Sequence, residues 1–189
     1  KKGHMINNLY RVFKRFSSPP RPYSLLDELK RKGLKVGANF DMQAGCIIDY
    51  SHCFHITIGN NVTLAPRVHI LAHDASTKKF FNYVKIGKVQ IGNNVFIGAG
   101  TIILPGVYIG DNVVIGAGSV VTHDIPEDSL AVGNPAKIID SCTNFIERRK
   151  LEMNKYPCFG AEYTERKKLT IEQKEQMNNI MRDRFAYII

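Results

Sequence analysis

One histidine and two aspartates of this 189-residue chain stand where they could move a proton. His73-Asp74 falls immediately ahead of a break in a six-residue repeat. Histidine suits proton abstraction because its pKa lies near working pH. Asp74 adjoins it, but neighbours along a chain need not converge in space. Asp49, in Ile47-Ile48-Asp49-Tyr50-Ser51-His52, can approach from an adjacent turn of the same repeat. A carboxylate from either place would orient the imidazole or stabilise its charged form. The histidines also allow a second chemistry. His52 and His55, with His69, His73 or His123, would make a zinc site if three converged and left a fourth position open. Their spacing does not fix that convergence. Cys46, Cys53, Cys142 and Cys158 form no CxxC pair and no disulfide framework, which fits a reducing cytosol.

The element that must position these groups is a hexad. An aliphatic residue returns every six positions at Ile91, Ile97, Ile103, Ile109, Ile115 and Val121. Glycine follows most of them, and Val95, Thr101, Val107, Val113 and Ser119 stand four positions after each. The stretch Ile91-Gly92-Asn93-Asn94-Val95 returns 18 residues later as Ile109-Gly110-Asp111-Asn112-Val113, three hexads on. A helical stripe is absent. The spacing instead predicts a solenoid in which three short strands make one triangular turn and like residues stack on like, at about 4.8 Å per coil. Val36, Met42 and Ile48 begin the pattern, the register slips between Ile48 and Ile58, and Ile58, Leu64 and Ile70 restore it. From Ile58 to Ile91 is 33 residues, one coil and 15 more, so about residues 76–90 should loop out. Insertions at the edge of a rigid stack are natural places for chemistry.

Hexads of the form Ile-Gly-x-x-Val-x, closed by Gly116-Ala117-Gly118-Ser119-Val120-Val121-Thr122 and Gly133-Asn134-Pro135-Ala136-Lys137, resemble the hexapeptide-repeat acyltransferases. The nearest branch looks like the maltose, galactoside and polysaccharide O-acetyltransferases. The resemblance covers about residues 36–140. It implies a mainly β protein, a left-handed parallel β-helix with helical N- and C-terminal segments, assembled as a homotrimer in the cytoplasm and using acetyl-CoA. The handedness rests on the resemblance, since crossovers between parallel strands are ordinarily right-handed.

The same resemblance assigns residues. His73 matches the family's catalytic histidine, just ahead of a projecting loop, with Asp74 beside it as possible catalytic support. From their place in the sequence rather than from the resemblance, Asp49 is expected to bind the acceptor or orient the imidazole, with His52 beside it at the acceptor. Ala99 and Ala117 fall on successive coils along the pantetheine channel, Thr122 is a polar contact, and Lys137 meets the CoA phosphates where the family often has arginine. Lysine there is a point charge without bidentate geometry. The implied reaction is acetyl transfer from acetyl-CoA to a hydroxyl of a sugar or polysaccharide precursor, with no metal expected. N-acetylation of an amino sugar, a γ-type carbonic anhydrase with interface histidines, and a noncatalytic hexapeptide scaffold are the alternatives.

The net charge of +9 raises the question of nucleic acid. Its distribution argues against that partner, because residues 36–140 hold six Lys and Arg against eight Asp and Glu, and the basicity belongs to the ends. No interleaving of aromatic and basic residues accompanies it. No segment reads as a membrane span or a cleaved signal.

The chain therefore divides into an N-terminal helical segment at 1–35, the solenoid at 36–140, and a helical extension at 141–189. Lys1 to His4 ahead of Met5 reads as an expression remnant. Leu9, Val12, Phe13 and Phe16 mark a short basic helix, either packed on the prism or another subunit or lying on an anionic membrane surface. Ser24 is placed to cap a helix through about Lys32, ended by Gly33. Past Val121 the hexads stop, and Asp124 to Glu127 should turn the chain away. Two helical stretches follow, near 143–154 and 170–184, with Ile171, Met177, Ile180 and Met181 expected to cover the prism or a subunit contact.

Overall fold

The computed structural model describes residues 24–164, 167–181 and 185–189. The remnant expected at 1–4 and the basic helix expected near Leu9–Phe16 lie outside them. The hexads form strands of two or three residues: β1 (Lys35–Val36), β2 (Asp41–Met42), β3 (Ile47–Ile48), β4 (Ile56–Ile58), β5 (Thr63–Leu64) and β6 (His69–Ile70). A hairpin, β7 (His73–Asp74) and β8 (Lys85–Ile86), interrupts the series. It resumes with β9 (Val89–Ile91), β10 (Phe96–Ile97), β11 (Ile102–Ile103), β12 (Tyr108–Ile109), β13 (Val114–Ile115) and β14 (Val120–Val121). The chain visits three sheets in cyclic order. The first holds β1, β4, β9 and β12, the second β2, β5, β10 and β13, and the third β3, β6, β11 and β14, all pairing parallel.

Register explains why a six-residue period suits this coil. Val36, Ile58, Ile91 and Ile109 are successive partners in the first sheet, Met42, Leu64, Ile97 and Ile115 in the second, and Ile48, Ile70, Ile103 and Val121 in the third. Apart from Val36 and Met42, half-buried at the first coil, these columns are buried. Each such side chain contributes roughly 1.5–3 kcal/mol by leaving water. Between the first and second sheets the chain turns at Asn39, Asn61, Asn94 and Asn112, all with φ between 54° and 57°. Asparagine tolerates that left-handed region, and here each amide also donates to the next at 2.8, 2.9 and 3.0 Å, making a ladder along one edge. At the next edge the coils approach closely: a Cβ on Gly98 would stand 2.4 Å from the Ala117 nitrogen.

Two stretches exceed the 18-residue coil, and both leave from the third sheet. Ile48 to Ile56 runs through a 3-10 turn at Cys53–His55, so that Val36 pairs with Ile58, 22 residues on. Ile70 to Val89 runs through the β7–β8 hairpin and a short helix at Lys78–Phe81. This second excursion occupies 71–88 rather than 76–90. Val89 and Gln90 already belong to β9, where Val89 is buried and pairs with Ile56, and the hairpin begins at His73.

The ends differ from expectation in places. A helix at Leu25–Arg31 opens with a capping box between Ser24 and Asp27 and buries Leu29 against the first coil. At the other end Asp124 to Glu127 does not turn the chain away. Ile125 is buried and bridges in parallel to Ile109, and β15 (Ser129–Val132) adds to the second sheet beside β13, because Ile125 and Ala131 resume the six-residue spacing after a step from Val121 that is two residues short, although the glycines are gone. The antiparallel β16 (Lys137–Ser141) ends that sheet. Helices at Cys142–Met153 and Ile171–Ile180 follow, with a small pair of strands, β17 (Cys158–Phe159) and β18 (Tyr187–Ile188). Neither helix buries a residue, and Ile171 and Ile180 are exposed, so these two do not cover the prism. All four cysteines are free thiols. Among the described residues no helix is long and apolar enough to cross a membrane.

Candidate active site

Both excursions leave the same edge of the coil, and the site forms where they stack. Asp49 follows β3, its backbone N–H donating to Ile70 O at 2.9 Å. Its carboxylate is buried, with 1% of the side chain exposed, and is fully engaged. Oδ1 accepts from the Ser51 N–H at 3.2 Å, the Ser51 hydroxyl at 3.0 Å and the His52 N–H at 3.1 Å. Oδ2 accepts from the Ala72 N–H at 3.0 Å and contacts His73 Nδ1 at 2.5 Å. Burial alone would raise the pKa of Asp49, but the bonds from His73, Ala72, His52 and Ser51 together outweigh it and hold the group at about 2. The site therefore contains a fixed negative charge at neutral pH.

That charge sets the state of His73. A carboxylate only accepts, so Nδ1 carries the proton and Nε2 of the neutral ring keeps its lone pair. The ring is about one-third exposed, at the wall of a cleft of about 460 Å³ lined by Leu71, His73, Asp74, Lys85, Leu104 and Thr122, among others. His52 stands beside it, ring centroids 4.8 Å apart, with Nδ1 on the Ser51 hydroxyl at 3.0 Å.

Asp74 lines the cleft but does not hold the imidazole. Consecutive residues of a strand project to opposite sides, and Asp74 accepts instead from the Ser76 N–H at 2.8 Å. That bond is the main reason its pKa is lowered, with a smaller effect from Lys85. Thr122 reaches the cleft, its hydroxyl within 2.7 Å of His123 Nδ1. Ala99 and Ala117 stack on successive coils at the edge between the second and third sheets, where the Gly118 N–H donates to Ala99 O at 2.8 Å. Neither lines the cleft with His73, and Lys137 is exposed on β16. Of the histidines considered for zinc, only His52 and His73 come together, with Asp49, their ligand atoms within 4.8 Å of one another. His69 is on the outer face of β6, and His55 lines a separate small cavity beside β8.

Spacing alone did not reveal Ser51, Leu104 or Lys85. Ser51 carried a faint signal, since Asp-x-Ser favours a side-chain turn onto the backbone two residues ahead.

An imidazole held by a buried carboxylate at the wall of a cleft on a stacked parallel coil is an arrangement suited to accepting a proton from a bound nucleophile. Residues 88–123 match the family described as bacterial transferase hexapeptide (six repeats). Protein CapG of Staphylococcus aureus is 41% identical over 154 residues, 79% of this chain and 84% of that protein. The next two curated relatives are matched over 44% and 66% of their lengths. Among solved structures, a maltose O-acetyltransferase from Clostridium difficile superposes with a TM-score of 0.51 at 34% identity, covering 69% of this chain and 83% of that one. A hexapeptide-repeat acetyltransferase of Vibrio cholerae in complex with acetyl-CoA gives a TM-score of 0.54 at 27% identity, covering 59% and 61%. The chain belongs to the hexapeptide-repeat acyltransferase family and is an acetyl-CoA-dependent acetyltransferase.

Proposed function

We propose that the protein acetylates a hydroxyl of a sugar or polysaccharide precursor, with His73 as general base. The observation that carries this reading is the bond from His73 Nδ1 to buried Asp49, which presents Nε2 as an acceptor at the cleft. Acetyl-CoA supplies an activated acyl carbon with a thiolate leaving group. His73 Nε2 takes the proton as the acceptor oxygen bonds to that carbon, and passes it on as the carbon–sulfur bond breaks, so no covalent enzyme intermediate is needed. Asp49 keeps the ring oriented and stabilises its charged form, and backbone N–H groups offset the charge developing on the carbonyl oxygen.

The residues present suit the cofactor. The small side chains of Ala99 and Ala117 leave backbone approachable along one edge, and Lys137 is an exposed cation on the adjoining β16 for a phosphate. In this reading the coil is left-handed, three copies assemble in the cytoplasm, and the helical ends serve as appendages.

His73→Ala tests the base. Turnover, followed as released CoA thiol, should fall about 10²–10⁴-fold while acetyl-CoA binding and the thermal transition stay close to wild type. Unchanged turnover would remove His73 from the chemistry.

A further inference from the structure

Lys85 stands in the cleft with His73, and acetyl transfer to a neutral sugar gives it no task. In the β7–β8 hairpin Asp74 is opposite Lys85 and His73 opposite Ile86. Lys85 and His73 both line the cleft, whereas Ile86 lines a separate cavity of about 220 Å³ with His55, Gly87 and Lys88. Asp74 gives one oxygen to Ser76, and among the described residues Lys85 forms no ion pair within 4.0 Å. The surroundings reinforce the charge. From Ala75 to Gly110 the sequence holds Lys78, Lys79, Lys85 and Lys88 and neither Asp nor Glu. The excursion that borders the cleft is thus cationic on a coil that is acidic overall, which draws anions to this mouth.

We infer that the acceptor is an acidic saccharide, bearing a carboxylate or phosphate on or next to the sugar that is acetylated, and that Lys85 reads this charge beside His73. The inference rests on acetyl transfer at this cleft. With the thioester carbon at His73, the length of the pantetheine arm favours an anion on the acceptor over the phosphates of CoA. Lysine, a compact point charge, suits a single anionic group whose angle varies between acceptors.

The test compares initial rates for methyl glucuronide against methyl glucoside, methyl galacturonide against methyl galactoside, and the 6-phosphates of both neutral glycosides. Wild type, Lys85→Gln and Lys88→Gln are each assayed at low and high salt. At least one acidic acceptor should exceed its neutral partner in kcat/KM by about tenfold, the size of one charge-assisted contact. The carboxylate and phosphate arms identify the anion. Lys85→Gln should bring that ratio close to one with the KM for acetyl-CoA unchanged, and Lys88→Gln should leave it intact. Equal use of acidic and neutral partners overturns the inference but leaves acetyl transfer standing, as does a Lys85→Gln defect confined to the KM for acetyl-CoA. Turnover of no acceptor by protein that still binds acetyl-CoA removes both.

Discussion

Asp49 Oδ2 and His73 Nδ1 lie 2.5 Å apart although 24 residues separate them in sequence. The contact exists because Ile48 pairs with Ile70, so the residues just past β3 and β6 leave the coil at one edge, one above the other. Scaffold register, more than local sequence, creates the pair.

Asp49→Asn removes the charge and leaves an amide among groups that all donate. Turnover should fall about 10²–10⁴-fold with little change in the KM for acetyl-CoA, measured by steady-state kinetics. Retention of wild-type kcat would show that the carboxylate does not support the imidazole.

The lowered pKa of Asp49 also sets an acid limit to stability. A group held at about 2 when folded, against 3.8 unfolded, stabilises the fold fully above pH 3.8 and loses that contribution as pH falls toward 2. Its size is about 2 kcal/mol. Urea unfolding of wild type and Asp49→Asn should therefore differ by about that amount at pH 6 and converge across this window. A gap independent of pH would mean that packing, not ionisation, explains the difference.

Lys137→Ala should weaken CoA roughly tenfold and dephospho-CoA far less, if the lysine meets the 3′-phosphate. Calorimetric titration of both ligands decides it, and equal losses would oppose that contact.

The asparagine ladder can be tested at Asn94, whose φ is 55° and whose side chain accepts from Asn61 and donates to Asn112. Asn94→Val forces a β-branched residue into the left-handed region and cuts the ladder, at about 2–4 kcal/mol. Asn94→Gly keeps the backbone conformation and should cost less. Denaturant midpoints that rank the two the other way would mean the turn conformation is not what asparagine secures.

Much of this architecture was legible because a hexad has one meaning in three columns: Ile97, Ile103 and Ile109 each predict their own neighbours above and below. His73 was legible for a related reason, since it marks where the period breaks. What the period could not give is the content of the interruptions. The imidazole's partner is set by the stacking of two irregular segments, and the sequence equally allowed Asp74, which the strand turns to Ser76. Lys85 depends on antiparallel register within a hairpin that carries no hexad at all. The continuation through Ile125 and Ala131 was hidden because the period slips by two residues after Val121, and the shifted positions keep the buried aliphatic residue but drop the glycine that advertises it.

The length changes in the coil, two insertions and a two-residue shortening between Val121 and Ile125, fall at a single edge, and strands on either side return at once to their columns. Residues 49–55 and 71–88 can therefore lengthen, shorten or exchange side chains while the remaining two edges keep their glycines and asparagine ladder undisturbed. Such an arrangement separates invention from upkeep: new acceptors are reached by rewriting one seam, and the stack that holds the seam together does not have to be refolded to follow.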